Sequence, residues 1–308
     1  PAPQALLLLV PITLLTALWV LCRILPHDLS AGVWLLSLIV LGMPHGAMDI
    51  VVLRQQTHNT AAFWKKITSY LLLMLGAWAS LMLAPRLTVL AFLVLTAIHF
   101  GEADRTAFTA FFSDSPSFPR SWAWLRGSLV IAIPCFLHPD QSWLPFAQLT
   151  HIPATAHTQQ TLQWFALALF VLASCNAATS LIRSPQTIRS RGFLFFCLET
   201  LVAIAWFLTT PPLLAIGGYF LCIHASRHML RLMDQFYRKT PKPLATKQLT
   251  MHLDSLAFAI PALLCILLWS STLDTPSLSH RIAYASIGFY LISTLPHHLL
   301  TRTLPTSA

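Results

Sequence analysis

Long apolar stretches recur along this chain, separated by short loops in which most of the lysines and arginines collect. Ten stretches have the length of a membrane-crossing helix: about residues 4–25, 31–53, 67–84, 86–102, 122–138, 160–182, 192–209, 212–232, 249–270 and 281–301. About 20 mainly apolar residues in a helix reach across the hydrocarbon core of a bilayer. The two-residue alternation that a membrane β-barrel needs is not visible in these stretches. The pattern predicts an all-α, polytopic transmembrane helix bundle of about 8–10 spans, forming a single integral membrane domain over residues 1–308. The first stretch has no basic leader and is long for a signal-peptide core, so it reads as a span. The stretches 67–84 and 86–102 meet at Ala84-Pro85-Arg86 and form a candidate hairpin. The stretch 122–138 carries Arg126 and Pro134 and fits the pattern least well. Segments 103–121 and 139–159 are polar and turn-rich, and neither suggests a further domain.

Composition agrees. Of 308 residues, 56% are hydrophobic and 9% charged, and the mean hydropathy is +0.67. Soluble domains carry roughly a quarter charged residues. The net charge of +9 would suit a nucleic-acid binder, but the basic residues lie in loops between spans. There they report topology and meet anionic headgroups, and no nucleic-acid partner is expected. If the loops are numbered in order, the even loops, their flanks and the C-terminal end hold all but three of the 19 Lys and Arg residues. The exceptions are Arg23, Arg86 and Arg281. The even loops are therefore expected in the cytoplasm, with both termini, in a multi-pass protein of the cell (inner or plasma) membrane. The six cysteines, Cys22, Cys135, Cys175, Cys197, Cys222 and Cys265, lie in or beside apolar segments without a CxxC pair. They read as small core residues.

Against this apolar background four histidine motifs stand out: Pro44-His45-Gly46-Ala47-Met48-Asp49, His99-Phe100-Gly101-Glu102-Ala103-Asp104, His224-Ala225-Ser226-Arg227-His228 and Pro296-His297-His298. An ionisable side chain at membrane depth normally faces the bundle interior and has a partner or a function. In the charge-derived topology all four motifs fall at similar depth, on the cytoplasmic side. Several histidines converging from separate spans suggest a metal held between helices.

His224 and His228 are one helical turn apart, so both can face one metal. Imidazole suits iron, zinc, copper and nickel. His45 sits between a proline that loosens its helix and a glycine that allows close approach. Asp49, one turn on, reads either as a carboxylate orienting an imidazole or as an acid at the interface. Glu102 and Asp104 read more readily as interfacial acids than as ligands, and Arg227 and Arg231 as headgroup anchors. His297 and His298 read as a ligand or as an interface pair. His252, Asp254 and Glu199 are further polar residues near the inner side, without an assigned role. His27, His58, His138, His151, His157 and His280 fall in loops and are expected in solvent.

The ordered set PHGAMD at 44–49, HFGEAD at 99–104, Arg126-Gly127 with Pro134 downstream, HASRH at 224–228 and Pro296-His297 resembles the Brp/Blh family of bacterial and archaeal β-carotene 15,15′-dioxygenases. The motifs run from residue 44 to 297 and bracket most of the chain. The resemblance implies a membrane enzyme with non-haem Fe(2+) that cleaves the central 15,15′ double bond of β-carotene with O₂. The products would be two all-trans-retinal molecules. It implies four histidine ligands, which by motif match are His45, His99, His224 and His228, serving as both metal-binding and catalytic residues. The doublet His297-His298 leaves open which late histidine is near the metal. β-Carotene and O₂ are the implied substrates and the bilayer the surrounding solvent. A functional link to a retinal-binding rhodopsin is conceivable on this reading.

Three rivals share some of these features. A membrane desaturase or hydroxylase would use more HxxxH and HxxHH boxes for two irons, whereas one HxxxH is clear here. A metal-cation transporter would spread polar residues over both halves of the bundle. A b-type cytochrome would need histidine pairs spaced for a haem. No nicotinamide or flavin motif is visible.

Overall fold

The computed structural model describes residues 2–25, 28–111, 119–185, 191–237 and 243–304, and among these all regular structure is helical. Helix α1 covers Ala2–Ile24. The next crossing is built in pieces: α2 (Ser30–Ser37), a π-helical turn (Leu38–Gly42), α3 (Met43–Ala47) and α4 (Asp49–Gln55). Helices α5 (Thr60–Leu83) and α6 (Pro85–Phe111) form the expected hairpin around Ala84. They are followed by α7 (Arg120–Leu137), α8 (Pro139–Thr150), α9 (Ala156–Arg183) and α10 (Arg191–Thr209). Another composite segment joins α11 (Pro212–Tyr219), a π-helical turn (Phe220–Ala225) and α12 (Ser226–Tyr237). Helices α13 (Leu244–Ser270) and α14 (Leu278–Thr301) close the bundle.

Among the described residues, six stretches are long and apolar enough to cross a membrane: Ser30–Gln55, Thr60–Leu83, Pro85–Thr109, Ala156–Arg183, Gly192–Thr209 and Ala245–Ser270. The chain is a multi-pass, all-helical membrane protein. Helices α7, α12 and α14 carry buried polar groups, including Arg126, Arg227 and His297.

Two expected loops are partly helical. Helix α6 continues to Phe111, well into the polar stretch 103–121, because Asp104 and Ala107 turn inward and are buried. The stretch 139–159 contains α8. Pro139 starts it, His151 ends it in a left-handed conformation (φ 56°), and Trp143, Phe146 and Leu149 bury its apolar side. Proline at the first helical position costs no hydrogen bond, and that favours a helix where the composition suggests turns.

Helices α6 and α7 pack backbone to backbone. A Cβ on Gly101 would collide with the carbonyl oxygen of Ala123, and one on Gly127 with that of Ala97. Only glycine fits at either place, and the close approach is the local reason for both glycines in their motifs.

Candidate active site

The two composite helical segments present the histidines of the first and third motifs. His45 follows the π-helical turn Leu38–Gly42, and His224 lies inside the π-helical turn Phe220–Ala225. A π turn widens the helix and re-aims the side chains around it, and such turns are frequent at functional sites. Pro44 cannot donate a backbone hydrogen bond to Val40, four residues earlier. His252 of α13 lies between two carbonyl oxygens, with Nε2 3.0 Å from that of Val40 and Nδ1 2.8 Å from that of Gln248, and its neutral ring can donate to one of them. His252 thus supports the segment that carries His45.

His45, His99, His224 and His228 are all buried and drawn together, and His297 of α14 joins them. Ring centroids are 4.8 Å apart for His99–His224, 5.0 Å for His99–His297 and 5.1 Å for His45–His297. They are 5.6 Å apart for His45–His224, His45–His228 and His228–His297. Imidazoles bound to one metal at about 2.0–2.1 Å would have centroids roughly 4.5–5 Å apart, so the cluster has nearly that spacing. Among the described residues, no three of the side chains already close into a metal-holding group.

The hydrogen bonds of the rings are uneven. His45 turns Nδ1 to the Gly42 carbonyl oxygen at 2.6 Å, which fixes the tautomer and leaves Nε2 as the free lone pair. His297 turns Nδ1 to both oxygens of Asp49, at 2.9 and 3.0 Å, and Asp49 accepts a further hydrogen bond from the Tyr70 hydroxyl at 2.8 Å. Both nitrogens of His224 and Nε2 of His297 are buried without a hydrogen-bond partner. A buried polar atom without a partner costs about 1–3 kcal/mol, so each one requires an explanation. A neutral imidazole carries one lone pair, so His224 and His297 can each offer one nitrogen of the kind that suits a transition metal. His99 and His298 face each other through their Nδ1 atoms at 3.2 Å.

A cavity of about 620 Å³ reaches His45, His99, His224 and His297. Its walls are mainly apolar and aromatic, including Trp34, Phe92, Phe100, Phe146, Phe220 and Tyr290. At the end formed by the α1–α2 loop and α8 it meets polar residues, among them Asp28, Gln141 and His280. Hydrogen bonds from Ser30 hold the Asp28 carboxyl below the ordinary carboxylate range.

Beside the histidines lies a closed ring of buried charge. Asp104 of α6 and Glu199 of α10 each bridge the guanidinium groups of Arg126 (α7) and Arg227 (α12). Tyr219 donates to Asp104 at 2.5 Å, Arg126 reaches Thr200 at 3.1 Å, and Phe108 lies against both arginines. Two expectations are corrected here. Asp104 is not an interfacial acid and Arg227 is not a headgroup anchor, because each finds two opposite charges inside the bundle, and isolated charges there would be expensive. Glu102 does stay near the surface, with Arg105 at 2.9 Å and Arg120 at 3.5 Å.

Of the remaining histidines, His27 lies outside the described residues. His58, His151 and His157 are exposed, while His138 and His280 are half-buried at helix starts. Asp254 accepts a hydrogen bond from Tyr237. Residues whose importance was not legible beforehand are Tyr70, Glu199 and His252. Glu199 carried the clearest signal, an acid inside the apolar stretch 192–209.

Fold and site together define a membrane-embedded protein with a histidine cluster at the wall of an apolar cavity. The chain belongs to the family described as "Beta-carotene 15,15'-dioxygenase", whose model matches residues 36–305. It is 27% identical over 216 residues to a protein of that name from uncultured marine bacterium 66A03, covering 68% of this chain and 72% of the relative. It is also 27% identical over 209 residues to a "Probable beta-carotene 15,15'-dioxygenase Blh" of Halobacterium salinarum, covering 63% of this chain and 59% of that relative. No solved structure matches the chain significantly.

Proposed function

We propose that this chain cleaves the central 15,15′ double bond of β-carotene with O₂ to give two all-trans-retinal molecules. The observation that carries this reading is the histidine cluster at the wall of a membrane-embedded apolar cavity, in a chain of this family. On this reading Fe(2+) is held by His45, His99, His224 and His228. His297, which the cavity also reaches, is a further ligand or a group poised beside the metal. When bound, iron would supply the spin-permitted route by which O₂ reacts with a polyene.

The rest of the work falls to the protein. Aromatic and aliphatic walls hold a long hydrocarbon beside the histidines and keep water away, which makes the encounter effectively intramolecular. The Gly42 carbonyl fixes the His45 ring, and Tyr70 with Asp49 fixes the His297 ring, as carboxylates commonly do for metal-bound imidazole. The buried ring of Asp104, Arg126, Glu199 and Arg227 ties together α6, α7, α10 and α12, and so holds His99 relative to His224 and His228. One O₂ per carotene balances two aldehydes, so no external reductant is needed. A retinal-binding rhodopsin would be a natural consumer of the product.

Metal analysis and product stoichiometry on the purified protein test this reading together. One iron per chain and two retinal molecules per β-carotene consumed are expected. Two irons per chain with hydroxylated or desaturated products would favour the rival oxygenase, and metal flux across vesicles without carotene turnover would favour a transporter.

A further inference from the structure

The cavity lining has two regions of different chemistry. One, beside Asp28 and Gln141, is polar. The other lies in the apolar flank of the bundle. Along α13, Ala257, Pro261 and Cys265 recur every fourth residue, so they form one stripe of the helix. All three are exposed, and all three line the cavity. Leu71 on α5 does the same with 55% of its surface exposed, and Tyr70 and Met74 continue its side. Helices α5 and α13 turn most of their apolar surface away from the bundle, so where their side chains also line the cavity its wall is thin.

Helix packing accounts for the thin wall. Helix α14 packs against both α5 and α13, while α5 and α13 barely meet each other. The small residues Ala257 and Ala262 leave the gap unfilled, and behind it the cavity continues along Ser293, Thr294 and His297 of α14 to His45. The stretches that contain α5 and α13 are both membrane spans, so the gap faces lipid. The cavity contains buried, unpartnered ring nitrogens of His224 and His297. We infer that the gap between α5 and α13 is a lateral portal through which a long apolar polyene passes from the bilayer to the histidine cluster.

This inference rests on the proposed carotene cleavage and adds the access route. A hydrocarbon dissolved in the membrane core would reach the histidines sideways, without crossing water, and its free end would stay between α5 and α13 while the middle lies at the cluster. The polar region beside Asp28 and Gln141 is then the water-facing end of the same cavity.

Cys265 is a native reporter at the portal, and the exposed Cys175 on α9 is a control that does not line the cavity. The test uses the iron-loaded protein in phospholipid nanodiscs without O₂, with and without β-carotene. Alkylation by a membrane-soluble maleimide is read residue by residue by mass spectrometry. β-Carotene is expected to slow modification of Cys265 about five-fold or more and to leave Cys175 unchanged. Unprotected Cys265 in a sample whose absorption spectrum shows protein-bound carotene would overturn the portal and leave the cleavage reaction standing. Failure to retain any carotene would overturn the cleavage reading and the portal with it. As a second variant, Ala257→Trp is expected to lower kcat/KM for β-carotene about ten-fold, mainly through KM, without loss of bound iron. An unchanged KM would contradict the portal.

Discussion

His297 points its Nδ1 at the Asp49 carboxylate, 2.9 Å away, although 248 residues separate them in the chain. The contact joins the fourth histidine motif to the acid of the first, and Tyr70 holds the far side of the same carboxylate. The pattern is that of a carboxylate orienting an imidazole for a metal.

Removing that carboxylate tests the arrangement. Asp49→Asn is expected to weaken iron binding about 10- to 100-fold, measured by competition with a chelator, with a parallel fall in retinal formed. Tyr70→Phe should have the same direction and a smaller size, because the carboxylate keeps its contact with His297. Unchanged metal affinity in Asp49→Asn would remove Asp49 from the metal site.

The late histidines can be ranked against each other. His224→Ala and His228→Ala are each expected to abolish activity and lower bound iron while the protein still inserts into the membrane. His297→Ala measured alongside separates two roles. If its iron content falls as far as that of His224→Ala, His297 is a ligand. If iron falls less while activity is lost, it is a group poised beside the metal. Full iron and full activity would exclude both.

The buried ring of Asp104, Arg126, Glu199 and Arg227 makes a prediction about stability. Removing one member leaves an uncompensated charge inside the bundle, at a cost of about 3–5 kcal/mol. Glu199→Gln should therefore lower the detergent-solubilised unfolding midpoint sharply. Arg227→Lys should lower it as well, since a lysine cannot span two carboxylates as a guanidinium does. A midpoint unchanged in Glu199→Gln would show that the ring contributes nothing to stability.

The α6–α7 contact makes another. Gly127→Ala would put a methyl group against the Ala97 carbonyl and force the two helices apart. A loss of about 1–3 kcal/mol is expected, with His99 displaced from its partners and iron content reduced. Wild-type stability and iron content would show that α6 and α7 yield more easily than their packing indicates.

Much of this architecture was legible because membrane crossing is a matter of length and apolarity, which α5, α6, α9 and α13 display directly. His45, His99, His224 and His228 were legible because a histidine in an apolar stretch is conspicuous. The pairing of Asp104 with Arg126 and Arg227 was not, since it depends on how α6, α7 and α12 face one another, and each charge near a helix end looks interfacial alone. The inward placement of His297 was not legible for the same reason. Which face of α14 turns inward is decided by packing against α5 and α13, not by the Pro-His-His sequence. Nor did periodicity reveal the π-helical turns before His45 and at His224, where local widening replaces the regular helical repeat.

The most direct measurement is to express this chain in a bacterial host that already makes β-carotene and to quantify carotene and retinal by chromatography, beside His228→Ala. Loss of carotene with a matching gain of retinal, absent in the variant, is the predicted result. Intact carotene, with the protein verified in the membrane and loaded with iron, would contradict the account.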